Sequence, residues 1–202
     1  MKFDEQIKAL IFDCDGTLVD SMRIHMDAWF STFKQYGHEC SWAFLEERNG
    51  ITTENIIQDF NRRYKANINI QSFSTDKEKR AFKALDNLTD IPAIANILLQ
   101  NAPYYPCVVF SGGNRKNVTK SLEVTGLKKY VHHVITSDDH YPSKNDPKAY
   151  HKIATLLGLQ PKQCHFFEDG EMAVEAAKKA GMQVTTINKK TLAELDAKLL
   201  SS

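Results

Sequence analysis

The 202-residue chain has no long hydrophobic run, since none of its apolar stretches approaches the ~18 residues that a membrane-spanning helix needs. Its first residues, M-K-F-D-E-Q-I-K, carry acids and lack the apolar segment of a secretory signal. These absences predict a cytoplasmic protein that does not enter a membrane.

An excess of charge of either sign is also missing. The 26 basic and 25 acidic side chains leave a formal net charge of +1. Because the basic residues stand singly or in pairs and form no stripe, we expect no nucleic-acid partner. With 42% hydrophobic and 25% charged residues, the composition is that of an ordinary globular protein.

The chain is poor in cysteine, glycine and proline. Its 4 cysteines lie far apart and include no C-x-x-C pair, which argues against a zinc site. We interpret them as reduced side chains, mostly small buried hydrophobes. The 9 glycines and 6 prolines form no linker, so the domains must be inferred from hydrophobic periodicity.

Short apolar runs alternate with helical patterns over much of the chain. The runs that predict buried strands cover residues 8–13, 106–111, 131–137, 163–169 and 182–187. The helical patterns between the last four runs cover residues 117–127, 147–158 and 171–181. This alternation predicts an α/β fold, a parallel sheet with helices on both faces.

The alternation stops between residues 20 and 90, where the patterns are almost wholly helical. The predicted helices cover residues 20–36, 41–48, 53–65 and 75–86. Their apolar stripes are typical of the core of a small bundle. We therefore predict an α/β core domain, residues 1–19 and 88–202, with a helical domain, residues 20–87, inserted after the first strand.

Two predicted strands end in pairs of acids: Asp13 with Asp15, and Glu168 with Asp169. Ligands of open parallel sheets bind beyond the carboxyl ends of the strands, where these pairs would meet. Four clustered carboxylates repel one another unless a cation joins them, and oxygen ligands suit Mg²⁺. An ionised carboxylate can also serve as a nucleophile. Solvated turns are the alternative interpretation of each pair.

Other strand ends offer groups that suit a phosphate. Ser111 is followed by Gly112 and Gly113, and a hydroxyl with glycine N–H groups before a helix can hold an anion. Lys144, just before another helix, could balance the charges of a phosphate and of the carboxylates. A plain tight turn and a solvated surface lysine are the alternatives.

These segments together resemble the haloacid dehalogenase-like hydrolases. D-C-D-G-T-L-V-D-S (13–21) is similar to the first motif of that family, and F-F-E-D-G-E-M-A (166–173) opens a segment similar to the fourth. Ser111 matches the second motif, and Lys144 with Pro147 the third. The resemblance runs from Ala9 to about Ile187, and it is closest to the phosphatase and phosphoglucomutase-like branch. It implies a Rossmann-like, three-layer core with an α-helical cap.

The resemblance implies a role for each matched side chain. Asp13 would attack the substrate phosphorus and form an aspartyl-phosphate. Asp15 would protonate the leaving oxygen and then activate water. Ser111 and Lys144 would bind the transferring phosphoryl group, and Thr17 would lie beside it with the Gly112 backbone.

The resemblance also implies a metal site. Mg²⁺ would be bound by Asp13, by the backbone carbonyl of Asp15 and by Asp169, with Glu168 binding directly or through water. The family usually has Pro where this chain has Asn145, Ser or Thr where it has Gly170, and Gly where it has Ala173. These departures put the shape of the loops in doubt, while the acids, the serine and the lysine are all present.

Substrate selection in this family is usually a property of the cap. His25 and Trp29 match positions that face the active site in sugar-phosphate members. The alternatives are a solvated or packed helix residue for His25 and a bundle-core residue for Trp29. Asn49 and Gly50 lie in a loop that resembles the cap loop reaching toward the substrate. In the mutase members an arginine three residues after that glycine grips a second phosphate, and this chain has Thr53 there.

The resemblance thus implies a Mg²⁺-dependent phosphatase acting on a small phosphorylated metabolite, a sugar or polyol monophosphate. One alternative is a β-phosphoglucomutase-type isomerase, which Thr53 disfavours. Another is a non-enzymatic phosphoacceptor or binding protein, which would have no need of Asp15. We expect a monomer, with a dimer as the alternative.

Overall fold

The computed structural model describes residues 3–48 and 51–200. By its internal contacts the chain forms two compact units. One, the α/β unit, consists of Met1–Ser21 with Asn87–Ser202, and the other, the helical unit, is Met22–Asp86.

The described residues contain these helices in chain order: α1 Met22–Gln35, α2 Trp42–Glu46, α3 Thr53–Tyr64, α4 Ile70–Ala84, α5 Pro92–Asn101, α6 Arg115–Val124, α7 Pro147–Leu156, α8 Glu171–Lys179 and α9 Lys189–Leu200. They contain these strands: β1 Ala9–Phe12, β2 Cys107–Phe110, β3 His133–Ile135, β4 Cys164–Glu168 and β5 Gln183–Thr186. None of these helices is long and apolar enough to cross a membrane.

The strands form one parallel sheet in the order β3-β2-β1-β4-β5. Each strand lies inside one of the apolar runs that predicted it. The central strand β1 is buried along its whole length, as are its neighbours β2 and β4. The predicted α/β class with a parallel sheet is confirmed.

Helices α7 and α8 cover one face of this sheet. Ile11, Val108 and Phe166 of the strands form one buried cluster with Tyr150 of α7 and Ala177 of α8. Because side chains alternate along a strand, Phe12 and Phe167 lie on the opposite face, where their rings stack with centroids 4.8 Å apart. The α/β unit is thus a layered sandwich built around β1.

An aromatic cluster forms the core of the helical unit. The ring centroid of Phe33 lies 4.4 Å from that of Phe60 and 4.7 Å from that of Phe73. Helix α4 starts at Ile70 rather than at residue 75, so the prediction was wrong about its start. The cause is local, because the side chain of Asn69 caps the helix by accepting from the amide of Ser72 at 2.9 Å.

Two helices of the α/β unit were not predicted. Five of the six apolar residues of α5 that follow Pro92 are buried, among them Ile94 and Leu98, and the sixth, Leu99, is partly buried. A helix with so little polar surface lacks the amphipathic contrast on which the sequence prediction relied. The other helix, α9, begins after Asn188, whose side chain accepts from the amide of Thr191 at 2.9 Å.

Candidate active site

The register of the sheet brings three predicted site residues to one edge. Phe12 pairs with Val109 on one side and with Phe167 on the other. Asp13 therefore emerges next to Glu168, at the level where β2 ends before Ser111. All three side chains are buried, so this edge concentrates polar groups that water does not reach freely.

Lys144 joins two of the buried carboxylates. Its Nζ lies 2.5 Å from Oδ1 of Asp13 and 2.5 Å from Oε2 of Glu168. Burial raises the pKa of Asp13 well above its usual range, and burial also raises the pKa of Glu168, although Lys144 opposes both shifts. Burial alone would lower the pKa of Lys144, but the two carboxylates outweigh it and raise that pKa. The lysine is therefore a fixed cation at neutral pH.

Asp169 completes an acidic cluster. Asp13, Glu168 and Asp169 each offer a carboxylate oxygen within 4.8 Å of the others. A set of three oxygen donors at that spacing fits a hard divalent cation, and Mg²⁺ prefers such ligands. A cation there would also offset the repulsion that one lysine leaves uncompensated.

Backbone shape at Gly16 makes room for Asp169. Gly16 has φ +80°, and a Cβ at this position would lie 2.7 Å from Oδ2 of Asp169. Thr17, fully buried, donates from Oγ1 to Oδ1 of Asp169 at 3.2 Å. Both residues after the first acidic pair thus position Asp169, the acid that directly follows β4.

Asp15 is held by a residue that sequence reasoning missed. Ser21 donates from Oγ to Oδ1 of Asp15 at 2.5 Å, and Ser21 is itself fully buried. The sequence feature that could have identified Ser21 is its position as the last residue of the motif at 13–21. A hydroxyl that donates to one oxygen of a carboxyl group fixes the orientation of that group.

The turn after β2 lies beside Asp15. Ser111 Oγ accepts from the amide of Gly113 at 3.0 Å. A Cβ at Gly113 would lie 3.2 Å from Ser111 Oγ and 3.4 Å from Oδ2 of Asp15, so both polar groups approach this glycine closely. Gly112 is exposed, and a Cβ there would meet nothing within 4 Å.

The structure explains one of the three departures from the family pattern, the glycine at position 170. The amide of Gly170 donates to Oε1 of Glu168 at 2.9 Å, which holds the second oxygen of that carboxylate. A Cβ at Gly170 would lie 3.1 Å from the same oxygen, tighter than an ordinary contact. Glycine therefore fits this position. The side chain of Asn145 lies 3.9 Å from the sulfur of Met172 in α8.

Two of the predicted substrate-binding residues, His25 and Trp29, lie in α1 of the helical unit. Trp29 is buried, with its ring centroid 5.9 Å from that of Phe33 and 5.8 Å from that of Phe73. His25 is partly buried on α1. Asn49 and Gly50 lie outside the residues that the structure describes.

Arg48 is engaged inside the helical unit. Its guanidinium donates to Oδ2 of Asp59 from Nε at 2.7 Å and from Nη2 at 2.5 Å. The same group lies 3.8 Å from the ring centroid of Phe44 and donates to the carbonyl of that residue at 2.8 Å. Its Nε, Nη1 and Nη2 therefore all donate to groups within the helical unit.

Comparison with known proteins identifies the family. Residues 10–187 match the sequence profile of the haloacid dehalogenase-like hydrolases. The chain belongs to this family. Membership confirms the resemblance drawn from the motifs. Together with relatives that are named as phosphatases, it also confirms that this haloacid dehalogenase-like hydrolase is a phosphoric monoester hydrolase.

Several relatives of this hydrolase have names that state an activity. It is 27% identical over 184 residues to the fructose-1-phosphate phosphatase YqaB of Escherichia coli K12, covering 91% of this chain and 97% of that protein. It is 28% identical over 184 residues to hexitol phosphatase A of the same organism, covering 90% and 83%.

Solved structures resemble the fold. CbbY from Rhodobacter sphaeroides, determined in complex with phosphate, matches with a TM-score of 0.77 at 22% identity, over 90% of this chain and 87% of that one. Together with the parallel sheet, this likeness confirms the Rossmann-like core with an inserted helical segment.

Proposed function

We propose that the chain is a Mg²⁺-dependent phosphatase that hydrolyses a sugar or polyol monophosphate through an aspartyl-phosphate on Asp13. The observation that carries the proposal is the position of Lys144 Nζ, 2.5 Å from both Asp13 and Glu168. A carboxylate nucleophile can approach a phosphate only where positive charge offsets its own, and this nitrogen supplies such charge.

Two displacement steps account for the reaction. A carboxylate oxygen of Asp13 bonds to phosphorus while the ester bond breaks, and Asp15 gives a proton to the leaving oxygen. Asp15 then accepts a proton from water as the water oxygen attacks the phosphorus of the aspartyl-phosphate. Inorganic phosphate leaves, Asp13 is ionised again and Asp15 is protonated again.

The remaining groups bind the phosphoryl group and the metal ion, and they orient Asp15. Lys144 and the Ser111 hydroxyl would hold the phosphoryl oxygens, with the Gly112 backbone and Thr17 beside them, while Ser21 orients Asp15. Asp13, Glu168 and Asp169, with the backbone carbonyl of Asp15, would hold Mg²⁺. When bound, Mg²⁺ supplies charge that stabilises the transferring group.

Two described residues on either side of the matching loop favour a phosphatase over a mutase. Thr53 stands where the mutase members have arginine, and Arg48 is engaged with Asp59 and Phe44. The names of the two Escherichia coli relatives support a phosphorylated sugar or hexitol as substrate class.

Domain roles and setting belong to the same proposal. We take the α/β unit as the catalytic core domain and the helical unit as a cap domain that contributes to substrate selection, through His25, Trp29 and the loop of Asn49 and Gly50. The proposed enzyme acts in the cytoplasm as a monomer on a small metabolite.

The test is a screen of about a hundred phosphate esters, which includes glucose and fructose monophosphates and is run with Mg²⁺ and without any bisphosphate activator. We expect release of inorganic phosphate, which Asp13→Asn abolishes and Asp196→Asn, at an exposed position on α9, leaves unchanged. Isomerised sugar phosphate with little phosphate release would support the mutase instead. Hydrolysis retained in Asp13→Asn would rule out the covalent mechanism.

A further inference from the structure

One buried hydroxyl near the site has no place in the proposed mechanism. Tyr150 lies in α7 and is fully buried. Its hydroxyl oxygen lies 2.8 Å from the carbonyl oxygen of Lys144 and 3.0 Å from the carbonyl oxygen of Ala173. Both partners are backbone acceptors, and a neutral phenol has one proton to donate, which the two carbonyls share.

From this geometry we infer that Tyr150 is a positioning residue, whose hydroxyl holds the backbone of Lys144 against α8 and thereby holds Nζ between Asp13 and Glu168. The inference rests on the proposed function, because it assigns to Tyr150 an effect on the reaction that Lys144 assists.

The hydroxyl connects the two segments that carry the ion pair. Lys144 lies in a turn, and Ala173 lies in the first turn of α8, which starts three residues after Glu168. One oxygen atom therefore sets the spacing between the backbone of the lysine and the helix that follows its carboxylate partner. At the other end of the lysine, Nζ contacts Glu168 Oε2 at 2.5 Å.

The hydroxyl can act as a fixed point because the ring that carries it cannot move freely. The Tyr150 ring meets Phe110 edge-on with centroids 5.8 Å apart, and it meets Phe166 at 5.3 Å. Protein interiors are packed closely enough that such a ring keeps one orientation.

Hydrogen bonds, rather than a rigid ring after the lysine, hold the turn that carries Lys144. Asn145 follows the lysine, so no proline ring fixes the backbone there. The amide of Asp146 closes the turn by donating to the carbonyl of Ser143 at 2.9 Å. Removing the Tyr150 hydroxyl would leave this turn to that hydrogen bond, to the Asn145 amide, which donates to Ser143 Oγ at 3.3 Å, to the contact of the Asn145 side chain with Met172, and to the ion pairs of Lys144.

The test is Tyr150→Phe, which removes the hydroxyl and keeps the ring contacts. Tyr141→Phe is the matched control, because the Tyr141 ring also faces Phe110, at 6.4 Å. Two measurements are made on both variants and on the wild type: phosphatase kinetics at saturating Mg²⁺, and hydrogen exchange of the Asp146 amide by NMR.

In Tyr150→Phe we expect kcat to fall about tenfold, because small displacements of a charged group at a reacting phosphoryl are costly, with KM changing less than about threefold. Exchange of the Asp146 amide should accelerate about fivefold, the factor that corresponds to one lost neutral hydrogen bond. Tyr141→Phe should change neither quantity.

Unchanged kcat in Tyr150→Phe, or a loss of activity that only follows the unfolded fraction with exchange raised throughout the α/β unit, would overturn the inference. Unchanged exchange at Asp146 would overturn it as well. A wild-type chain that hydrolyses no ester would contradict the proposed function separately, and the exchange measurement would still decide whether the hydroxyl orders the turn.

Discussion

Lys144 Nζ lies 2.5 Å from Oε2 of Glu168, and this ion pair is almost entirely shielded from water, with side-chain exposures of 16% and 3%. The same nitrogen contacts Asp13. One cation therefore pairs with two buried carboxylates, and its loss would remove the counter-charge that the described residues supply to both. Breaking such a pair by removing one partner destabilises the folded protein, because the remaining charge is buried with neither water nor a counter-charge beside it.

Lys144→Ala should affect stability and activity together. We expect the free energy of unfolding to fall by about 3 kcal/mol, because both carboxylates lose their partner. Phosphatase kcat should fall by about a hundredfold or more, because a donor to the transferring group is lost. Urea unfolding and steady-state kinetics check these values, with Lys148→Ala, an exposed lysine on α7, as the control. Equal behaviour of the two variants would contradict the assignment.

Mg²⁺ should stabilise the folded chain through Asp169. If the cluster binds the ion, MgCl₂ at a hundred times the dissociation constant stabilises the wild type by about 2.7 kcal/mol. Asp169→Asn removes one of three clustered carboxylates and should abolish most of this effect, whereas Asp196→Asn should keep it. Thermal unfolding with MgCl₂ or with EDTA measures the difference. A wild-type response to Mg²⁺ in Asp169→Asn would place the metal elsewhere.

Much of this site could be predicted because its acids directly follow short apolar strands. A parallel sheet brings the carboxyl ends of its strands to one edge, so the positions of Asp13, Ser111 and Glu168 at the ends of predicted strands indicated that they lie near one another. Lys144 arrives from a loop without a strong pattern. Its position before a helix allowed either a counter-charge or a solvated surface lysine, the family resemblance favoured the first, and the structure gave it two carboxylate partners.

The missed features have physical causes. Tyr150 in an apolar helical pattern is indistinguishable from an ordinary core aromatic, and its hydroxyl binds backbone carbonyls, which are present at every residue. Helix α5 buries so much of its surface that its periodicity is weak. The start of α4 depends on the single cap at Asn69, which the apolar pattern does not record.

Gly16→Ala should damage the metal site beyond its cost to the backbone. Alanine at φ +80° costs about 1–2 kcal/mol of stability. The new Cβ would also lie 2.7 Å from Oδ2 of Asp169, so that carboxylate must move. Gly37→Ala is a matched control, since Gly37 has φ +77° and a Cβ there meets nothing within 4 Å.

We expect the two glycine variants to lose similar free energy of unfolding, while only Gly16→Ala needs more Mg²⁺ for half-maximal activity. Chemical unfolding and Mg²⁺ titration of phosphate release give both values. If Gly16→Ala keeps the wild-type Mg²⁺ dependence, the contact with Asp169 does not shape the metal site.

His165 should make a destabilising contribution in mild acid, opposite in sign to the contributions of Asp13 and Glu168, whose pKa values are raised. This side chain is buried in β4, and burial lowers its pKa from 6.5 to about 4. Its Nε2 lies 2.8 Å from Oγ1 of Thr185, while Nδ1 has no hydrogen-bond partner among the described residues. The folded chain therefore keeps the imidazole neutral at a pH where the unfolded chain binds a proton.

The sign follows from proton uptake. Between pH 6.5 and about 4 the unfolded state holds one more proton at this histidine, so the free energy of unfolding falls as the pH falls. The contribution of His165 approaches about 1.4 kcal/mol per pH unit within that window and vanishes above it. Urea unfolding at several pH values should show a smaller slope in His165→Gln than in the wild type. His151→Gln, at an exposed position on α7, should keep the wild-type slope, and equal slopes in all three proteins would show that His165 takes up its proton equally in both states.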